Sequence, residues 1–352
     1  MTLKITPIAA GARVQVGSFS AYVQPDLFRD LPDEAARKML FAQSVRNVTL
    51  ELSSYCNRRC RFCPNTQGSR LKAERLLPEE TFRKIVHDLA SIQYRRKIYF
   101  HLYNEPLAAP EILLERMSYA RRFLRRAHFS LNTNGDYLSP SLLERLDAAG
   151  CNSIYVSIYG PDHGRWDDAY IKDRVEKTAD SLGVAGSKIE EPGSDYSVIG
   201  KVGNVDIRVG GRNLWKSGYD RGAMIPELAV ERSSPCLSPV TEVIVDHRGY
   251  SLPCCNVYTD NPDHIRYTTG NLNESDIFTV YAGQASRRWR EGVLKFNPKG
   301  KLCEGCSRGD YPSLATEENE EAIGALRATL GIEKPPATAV VATSGQSVPA
   351  EA

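Results

Sequence analysis

The sequence lacks the features that would place it in a membrane or on nucleic acid. Its 352 residues contain no apolar run of about 18 residues, the length that a membrane-spanning helix needs. Its first residues show no basic stretch followed by a long apolar segment, so a secretory signal is not predicted. The formal net charge is only +2, which favours neither nucleic acid nor a membrane surface as a partner. We therefore expect a cytoplasmic protein.

Motifs of several common enzyme classes are also absent. The sequence contains no G-x-x-x-x-G-K-[ST], no G-x-S-x-G and no H-E-x-x-H, and its six histidines form no metal-like pair. Basic residues do cluster, at Arg58, Arg59 and Arg61 and again within residues 121–126. These clusters fall on different predicted elements, so they do not predict one nucleic-acid-binding face. The arginines near residue 60 could instead tune a neighbouring metal centre.

Cysteines are grouped in a way that indicates metal ligands. Eight of the nine lie near two motifs, and clustered cysteines in a chain without a signal peptide favour metal sites over disulfides. The first motif is C-x3-C-x2-C, formed by Cys56, Cys60 and Cys63 directly after the apolar run at residues 45–52. Three thiolates can hold three irons of a [4Fe–4S] cluster and leave the fourth iron open for chemistry. Structural zinc and purely electron-transferring clusters normally take four protein ligands.

The second motif is formed by Cys236, Cys254, Cys303 and Cys306. A predicted hairpin with Gly249 at its turn would bring the first two together, and the C-x2-C pair supplies the others. Four converging thiolates suit either a closed [4Fe–4S] cluster or a structural zinc.

Two cysteines remain outside this count. Cys255 is interpreted as a small buried residue beside a ligand, with two alternatives: it replaces Cys254 in the ligand set, or it donates a hydrogen atom to a substrate radical. Cys151 precedes a predicted strand and is interpreted as a core residue.

Strand-like and helix-like segments alternate through the first two thirds of the chain. Strands are predicted at residues 48–52, 98–102, 129–132, 154–158 and 197–209. Helices are predicted at residues 33–41, 78–92, 110–126, 139–149 and 171–182. The fourth of these begins with Ser139 as N-cap and Pro140 at the first helical position. Such alternation predicts parallel βαβ units with functional residues at the carboxyl ends of the strands, and the first cysteine motif follows the first strand.

With Phe62 before its third cysteine, the first motif resembles the signature of the radical S-adenosylmethionine (SAM) enzymes. That resemblance implies an α/β fold, a partial (β/α)6 TIM-like barrel, with a SAM-binding [4Fe–4S] cluster held by the three cysteines. In this family the open iron binds SAM, and an electron from the cluster splits SAM to a 5′-deoxyadenosyl radical that takes a hydrogen atom from substrate. The second cysteine set resembles a small C-terminal Twitch domain, the shortened SPASM domain, and implies one auxiliary [4Fe–4S] cluster. Its spacing is similar to that of single-auxiliary-cluster aminocyclitol dehydrogenases.

The resemblance also implies a set of SAM-binding residues. Tyr103-Asn104-Glu105-Pro106 stands where the family has G-G-E-P, with the two glycines replaced. Further polar contacts are implied at the ends of the third and fourth strands and from one arginine. The implied set is Phe62, Asn104, Glu105, Asn132, Asn134, Ser157 and Arg208.

The chain divides into five predicted regions. These are an N-terminal leader (1–44, with a strand-like piece at 13–23), the barrel (45–225), the auxiliary-cluster domain (226–315), a closing helix (316–332) and a disordered tail (333–352). The leader looks too short for the peptide-binding module that often precedes maturases of ribosomal peptides.

The resemblance implies a small polar substrate and an electron donor such as a flavodoxin or ferredoxin. The leading hypothesis is dehydrogenation or epimerisation of a sugar or aminocyclitol-like molecule. A peptide-modifying maturase and a non-catalytic iron–sulfur electron-transfer or metal-stabilised binding protein are the alternatives.

Overall fold

The computed structural model of the protein describes residues 24–68, 70, 75–161, 165–232, 236–294 and 299–308. The strand-like piece at 13–23, the closing helix and the tail lie outside the described residues. None of the helices in the described part is both long and apolar enough to cross a bilayer.

A single ten-stranded sheet runs through the described chain. Its strands in chain order are β1 (Asn47–Leu50), β2 (Lys97–Tyr99), β3 (His128–Thr133), β4 (Ser153–Ile158), β5 (Gly186–Glu191), β6 (Asp195–Val202), β7 (Val205–Arg212), β8 (Glu242–Val245), β9 (Tyr250–Leu252) and β10 (Gly270–Asn271). The spatial order is β10-β9-β8-β1-β2-β3-β4-β7-β6-β5, and the six strands from β8 to β7 are parallel. The predicted α/β class with a parallel βα core is confirmed.

The described residues also form eleven α-helices. They are α1 (Glu34–Ser44), α2 (Glu79–Ser91), α3 (Pro110–Phe123), α4 (Pro140–Ala148), α5 (Asp168–Ser181), α6 (Leu214–Ser217), α7 (Ser238–Thr241), α8 (Pro262–Ile265), α9 (Ile277–Ala282), α10 (Gln284–Val293) and α11 (Lys301–Glu304). Helices α2 to α5 follow successive parallel strands. Helix α2 buries Phe82, Ile85, Val86 and Leu89, whose spacing of three and four residues places them on one face. The predicted start of α4 is confirmed, because Ser139 Oγ accepts a hydrogen bond from the Leu142 amide at 3.2 Å.

Two features of the sheet differ from the sequence-based expectation. The segment predicted as a fifth strand, residues 197–209, contains a turn, and β6 and β7 pair antiparallel on either side of Gly203, whose φ is +58°. Only β7 runs parallel to β4. The sixth parallel strand is β8, from the predicted C-terminal domain, and it lies against β1 with Val48 beside Val243. The two predicted domains therefore share one sheet.

The first strands end at the same edge of the sheet, as parallel strands must. The loops that follow β1, β2, β3 and β4 carry the first cysteine motif and most of the predicted cofactor contacts. The predicted β8–β9 hairpin is also confirmed, with Gly249 at φ +87° in its turn. The fold thus brings both cysteine-bearing regions to the sheet through β1 and its neighbour β8.

Candidate active site

The first cysteine motif forms a compact loop beyond β1, the Cys56–Cys63 loop. The Cys63 amide donates to the Cys60 carbonyl at 2.9 Å, and the Thr66 hydroxyl donates to the Cys63 carbonyl at 3.0 Å. Phe62 is buried and packs against Tyr159 with ring centroids 5.1 Å apart. These contacts hold the loop close to the end of β4, where Ser157 lies.

The three thiols of this loop suit a shared positively charged group. Burial, with a smaller contribution from neighbouring thiols of the set, raises the pKa of Cys56 to about 11 and that of Cys60 to about 12. Bringing thiolates together in a buried place is unfavourable unless a cation or cluster compensates their charge. Among the described residues, no three cysteine, histidine or carboxylate side chains are placed to share one metal ion. In a [4Fe–4S] cluster each thiolate binds its own iron, so the donors of this loop fit that group better than a single ion.

Glu105 lies between the ends of β2 and β3. Its Oε1 accepts from the Leu107 amide at 3.0 Å and the Thr133 hydroxyl at 2.6 Å, and its Oε2 accepts from the Asn134 amide at 2.7 Å. Burial raises the pKa of this carboxyl, although the three hydrogen bonds oppose the rise. The carboxylate is therefore fixed at the edge where the Cys56–Cys63 loop lies, and its role in SAM binding stays a prediction.

Asn104 is buried beside it. Its Oδ1 accepts from the Leu102 amide at 3.0 Å and its Nδ2 donates to Ser53 Oγ at 3.4 Å. Asn104 thus ties the turn after β2 to the segment after β1.

The turn after β3 is linked directly to the cysteine loop. Asn134 Nδ2 donates to Asn57 Oδ1 at 2.7 Å, and Arg58 Nε donates to Asp136 Oδ2 at 2.7 Å. Asn132, in contrast, has an exposed side chain. The structure therefore gives Arg58 a carboxylate partner that the sequence did not reveal, and it brings Asn134 to the cysteine loop.

Arg208 is buried on β7 and has a carboxylate partner. Its Nη2 donates to both oxygens of Asp195, at 2.9 and 2.8 Å, and its Nε donates to Ser197 Oγ at 3.0 Å. These charge-assisted hydrogen bonds fix the guanidinium within the β6–β7 hairpin. A contact between Arg208 and SAM stays a prediction, and it would have to compete with Asp195.

The cysteines of the second set are close enough to influence one another's pKa values. Burial and the neighbouring thiols of Cys236 and Cys306 raise the pKa of Cys303 to about 12, although Arg232 and Lys299 oppose the rise. Cys254 is likewise influenced by Cys303 and Cys236. Four neighbouring thiols, two of them buried and two half-buried, fit a closed cluster.

The fourth thiol of this set also receives hydrogen bonds. Asn256 Nδ2 lies 3.2 Å and Arg232 Nη1 lies 3.5 Å from Cys306 Sγ. Hydrogen bonds to a ligating sulfur stabilise its thiolate form.

Tyr103 and Arg221 connect the two cysteine groups. The Tyr103 hydroxyl donates to the Cys255 carbonyl, and Arg221 Nη1 lies 4.0 Å from Cys255 Sγ. The positive charge of Arg221 also lowers the pKa of Cys63, which burial raises. The Nε of Arg221 is buried with no hydrogen-bond partner among the described residues. Arg221 was not predicted from the sequence, which carries no motif around it.

Glu51, the residue that follows β1, was also missed. Its carboxylate is fully buried and accepts from Arg70 Nη1 at 2.5 Å, His247 Nδ1 at 2.9 Å and the Tyr103 amide at 2.9 Å. Burial alone would raise the pKa of Glu51, but Arg70 and His247 together hold it well below its usual range. The only sequence signal was a single acidic residue inside an apolar run. Glu51 joins the barrel strand, the segment after the cysteine loop and the β8–β9 turn.

Two family models match the chain. The radical SAM superfamily matches residues 50–187, and the SPASM iron–sulfur cluster-binding domain matches residues 236–307. These regions contain the first and second cysteine sets respectively. The first domain implies a SAM-binding [4Fe–4S] cluster, and the second implies auxiliary iron–sulfur binding.

The chain is also similar to a characterised enzyme and to solved structures. It is 24% identical over 275 residues to the S-adenosyl-L-methionine-dependent 2-deoxy-scyllo-inosamine dehydrogenase of Niallia circulans, covering 77% of this chain and 95% of that enzyme. The crystal structure of BtrN in complex with AdoMet and 2-DOIA matches with a TM-score of 0.55 and 20% identity, covering 75% of this chain and 94% of BtrN. An open conformation of BtrN matches with a TM-score of 0.50 and 19% identity, covering 78% and 97%. The structural matches support a shared fold.

Proposed function

This chain belongs to the radical SAM superfamily, and on that premise we propose that it dehydrogenates an alcohol carbon of a small polar molecule of the aminocyclitol class. Cys56, Cys60 and Cys63 would hold the SAM-binding cluster. The auxiliary cluster would be held by Cys236, Cys254, Cys303 and Cys306. Once bound, these groups supply the radical that takes a hydrogen atom from substrate and a nearby electron acceptor.

The observation that carries this proposal is the contact between the two cysteine regions. Tyr103 comes from the β2 loop, Cys255 lies beside an auxiliary ligand, and Arg221 interacts with both Cys63 and Cys255. A redox-neutral reaction has no need of a second redox centre so close to the first. When a hydrogen atom and a proton leave the alcohol, one electron must also leave the substrate. An auxiliary cluster near the SAM-binding site could accept that electron. The resemblance to a named aminocyclitol dehydrogenase supports the same reaction type.

The residues of the junction suit a hydroxylated substrate. Arg221 provides a half-buried guanidinium, and its Nε is buried with no hydrogen-bond partner among the described residues. A buried donor without a partner is costly, and a substrate hydroxyl would satisfy it.

We expect the reconstituted enzyme to convert an aminocyclitol into a product lighter by two hydrogens. The assay would contain SAM, dithionite and a panel of aminocyclitols, cyclitols and sugars, with products identified by mass spectrometry. Substrate deuterated at the reacting carbon should transfer its label to 5′-deoxyadenosine. A product of unchanged mass would contradict the dehydrogenation, and protein lacking Cys56, Cys60 and Cys63 is the control for background oxidation.

Epimerisation is the second candidate, because Cys255 offers a thiol outside the four predicted ligands. Its side chain is half-buried and faces Arg221. If the reaction is a dehydrogenation, Cys255→Ala should retain its iron and form product at close to the wild-type rate. In an epimerisation the thiol would return a hydrogen atom, so wild type would incorporate solvent deuterium and the variant would not. Loss of iron would instead identify Cys255 as a ligand, and Cys151→Ala controls for removal of a buried thiol.

A further inference from the structure

A cleft on the surface of the C-terminal module is built from one face of α10. Ala285, Arg288, Trp289, Gly292 and Val293 recur every three or four residues along that helix and line one wall. The other walls are residues 266–268 and residues 299–303, and the cleft encloses about 460 Å³. Nothing in the proposed SAM or substrate site uses it.

The cleft is strongly basic. Four of its lining residues are cationic, namely Arg266, Arg288, Lys299 and Lys301, and none of the described lining residues is acidic. Arg266, Arg288 and Lys301 have exposed side chains. The chain as a whole is nearly neutral, at +2, so this concentration is local. A surface of this kind attracts acidic partners over several ångströms and does so less at high salt.

The inner wall of the same cleft includes a predicted cluster ligand. Cys303 lines the cleft together with Lys299. Trp289 is half-buried beside it and is fixed by a hydrogen bond from its Nε1 to the Tyr267 carbonyl at 3.1 Å. The cleft is therefore a place where an external protein comes close to the auxiliary site.

We propose that an acidic electron-carrier protein of the flavodoxin or ferredoxin class docks on this cleft and takes up the electron that the reaction leaves behind. The inference rests on the proposed dehydrogenation. One hydrogen leaves the substrate carbon as an atom, the hydroxyl hydrogen leaves as a proton, and one electron remains to be removed as the carbonyl forms. The oxidised carrier is the acceptor and is reduced by that electron. Cys303 lines the docking cleft, so the path of the electron from the auxiliary site to the carrier would be short.

The test is direct binding of oxidised flavodoxin to the reconstituted holoenzyme, measured anaerobically by isothermal titration calorimetry. The test variant is Arg266→Glu/Arg288→Glu, which places like charges against the carrier. We expect its affinity to fall by about tenfold or more, because rim charges of one sign steer and hold a partner of the other. The control is Arg122→Glu/Arg126→Glu, which makes the same change of charge on and just beyond helix α3. Its affinity should stay within about twofold of wild type, and wild-type binding should weaken as salt is raised.

Three outcomes would overturn the docking site. Equal losses in the test and control variants would mean that only net charge matters, and an unchanged affinity in the test variant would place docking elsewhere. Pyrophosphate that binds the cleft without competing with flavodoxin would identify a small-anion site. Iron content shows whether the test variant has folded and loaded. Dithionite-driven SAM cleavage and product mass of the wild type test the proposed function separately, because neither needs a carrier protein.

Discussion

Replacing Cys56, Cys60 or Cys63 with alanine is expected to abolish SAM cleavage. Each thiol is one of only three ligands in the loop after β1, so two remaining thiolates cannot hold the cluster in the geometry that leaves one iron open. Removing a residue that only hydrogen-bonds to a metal ligand typically lowers metal affinity about 10- to 100-fold. Removing a ligand itself should lower the affinity more. The measurement is 5′-deoxyadenosine formed with dithionite as reductant.

The iron content per chain tests the same ligand assignment independently of SAM cleavage. Two independent [4Fe–4S] clusters correspond to about eight irons per chain, and the triple variant Cys56/Cys60/Cys63→Ala should retain about four. Cys151→Ala is the matched control, because Cys151 is also a buried cysteine but belongs to neither cysteine set, and its thiol donates to the Ser153 carbonyl at 3.6 Å. That control should keep both its iron and its activity. A triple variant that still forms 5′-deoxyadenosine would exclude the loop as the SAM-binding centre.

The cysteine sets were predictable because their ligands are encoded over short distances. Cys56, Cys60 and Cys63 lie within eight residues, so their spacing alone limits what they can bind. The β8–β9 hairpin was predictable in the same way, since Gly249 marks its turn locally. The start of α4 followed from adjacent Ser139 and Pro140. In each case the information lies within a few neighbouring residues.

Arg208 shows why the predicted cofactor contacts could not be settled from the sequence. It was selected because a guanidinium pairs well with a carboxylate, and the structure gives it such a partner in Asp195. Asp195 lies on β6, opposite Arg212 on β7. Arg208 is also on β7, so the turn between the two strands brings Asp195 close to it. The sequence-based prediction read part of this hairpin as one strand. Without the turn at Gly203, no pairing between Asp195 and Arg208 could be foreseen.

The position of β8 beside β1 could not be predicted from the sequence either. A strand that joins an existing parallel sheet more than 190 residues later in the chain leaves no local trace, since its apolar run Val243-Ile244-Val245 suits any buried strand. The consequence is functional, because β8 attaches the auxiliary cysteines to the strand from which the Cys56–Cys63 loop begins.

Arg70→Met is expected to destabilise the protein by about 3–5 kcal/mol, because it removes the arginine that pairs with the buried carboxylate of Glu51. Glu51 has no exposed surface, and Arg70 also donates to Asp260 Oδ2 at 2.7 Å. The matched control is Arg145→Met, which breaks the exposed pair with Glu111 and should cost about 1 kcal/mol or less. Chemical denaturation of the reconstituted proteins measures both.

The pH dependence separates a charge effect from lost packing. In wild type the pKa of Glu51 is lowered, so its stabilising effect is complete above its ordinary pKa of about 4.5 and is lost as the pH falls further. In Arg70→Met burial is opposed only by His247, so the pKa of Glu51 should rise above its wild-type value. If it rises above 4.5, the variant should regain stability as the pH falls through that raised value towards 4.5.

The double variant Glu51→Gln/Arg70→Met tests whether Arg70 stabilises the protein through its charge. It removes both charges, so it should recover much of the stability lost in Arg70→Met and should lose the variant's pH dependence. A double variant that is as unstable as Arg70→Met at every pH would show that Arg70 acts through packing alone. Recovery would instead mean that the Glu51–Arg70 pair acts through its charges. Glu51 also links the end of β1 to the β8–β9 turn through its hydrogen bond with His247, 196 residues away. The two cysteine regions would then depend on that pair for their relative position, and the iron content of Arg70→Met should fall together with its stability.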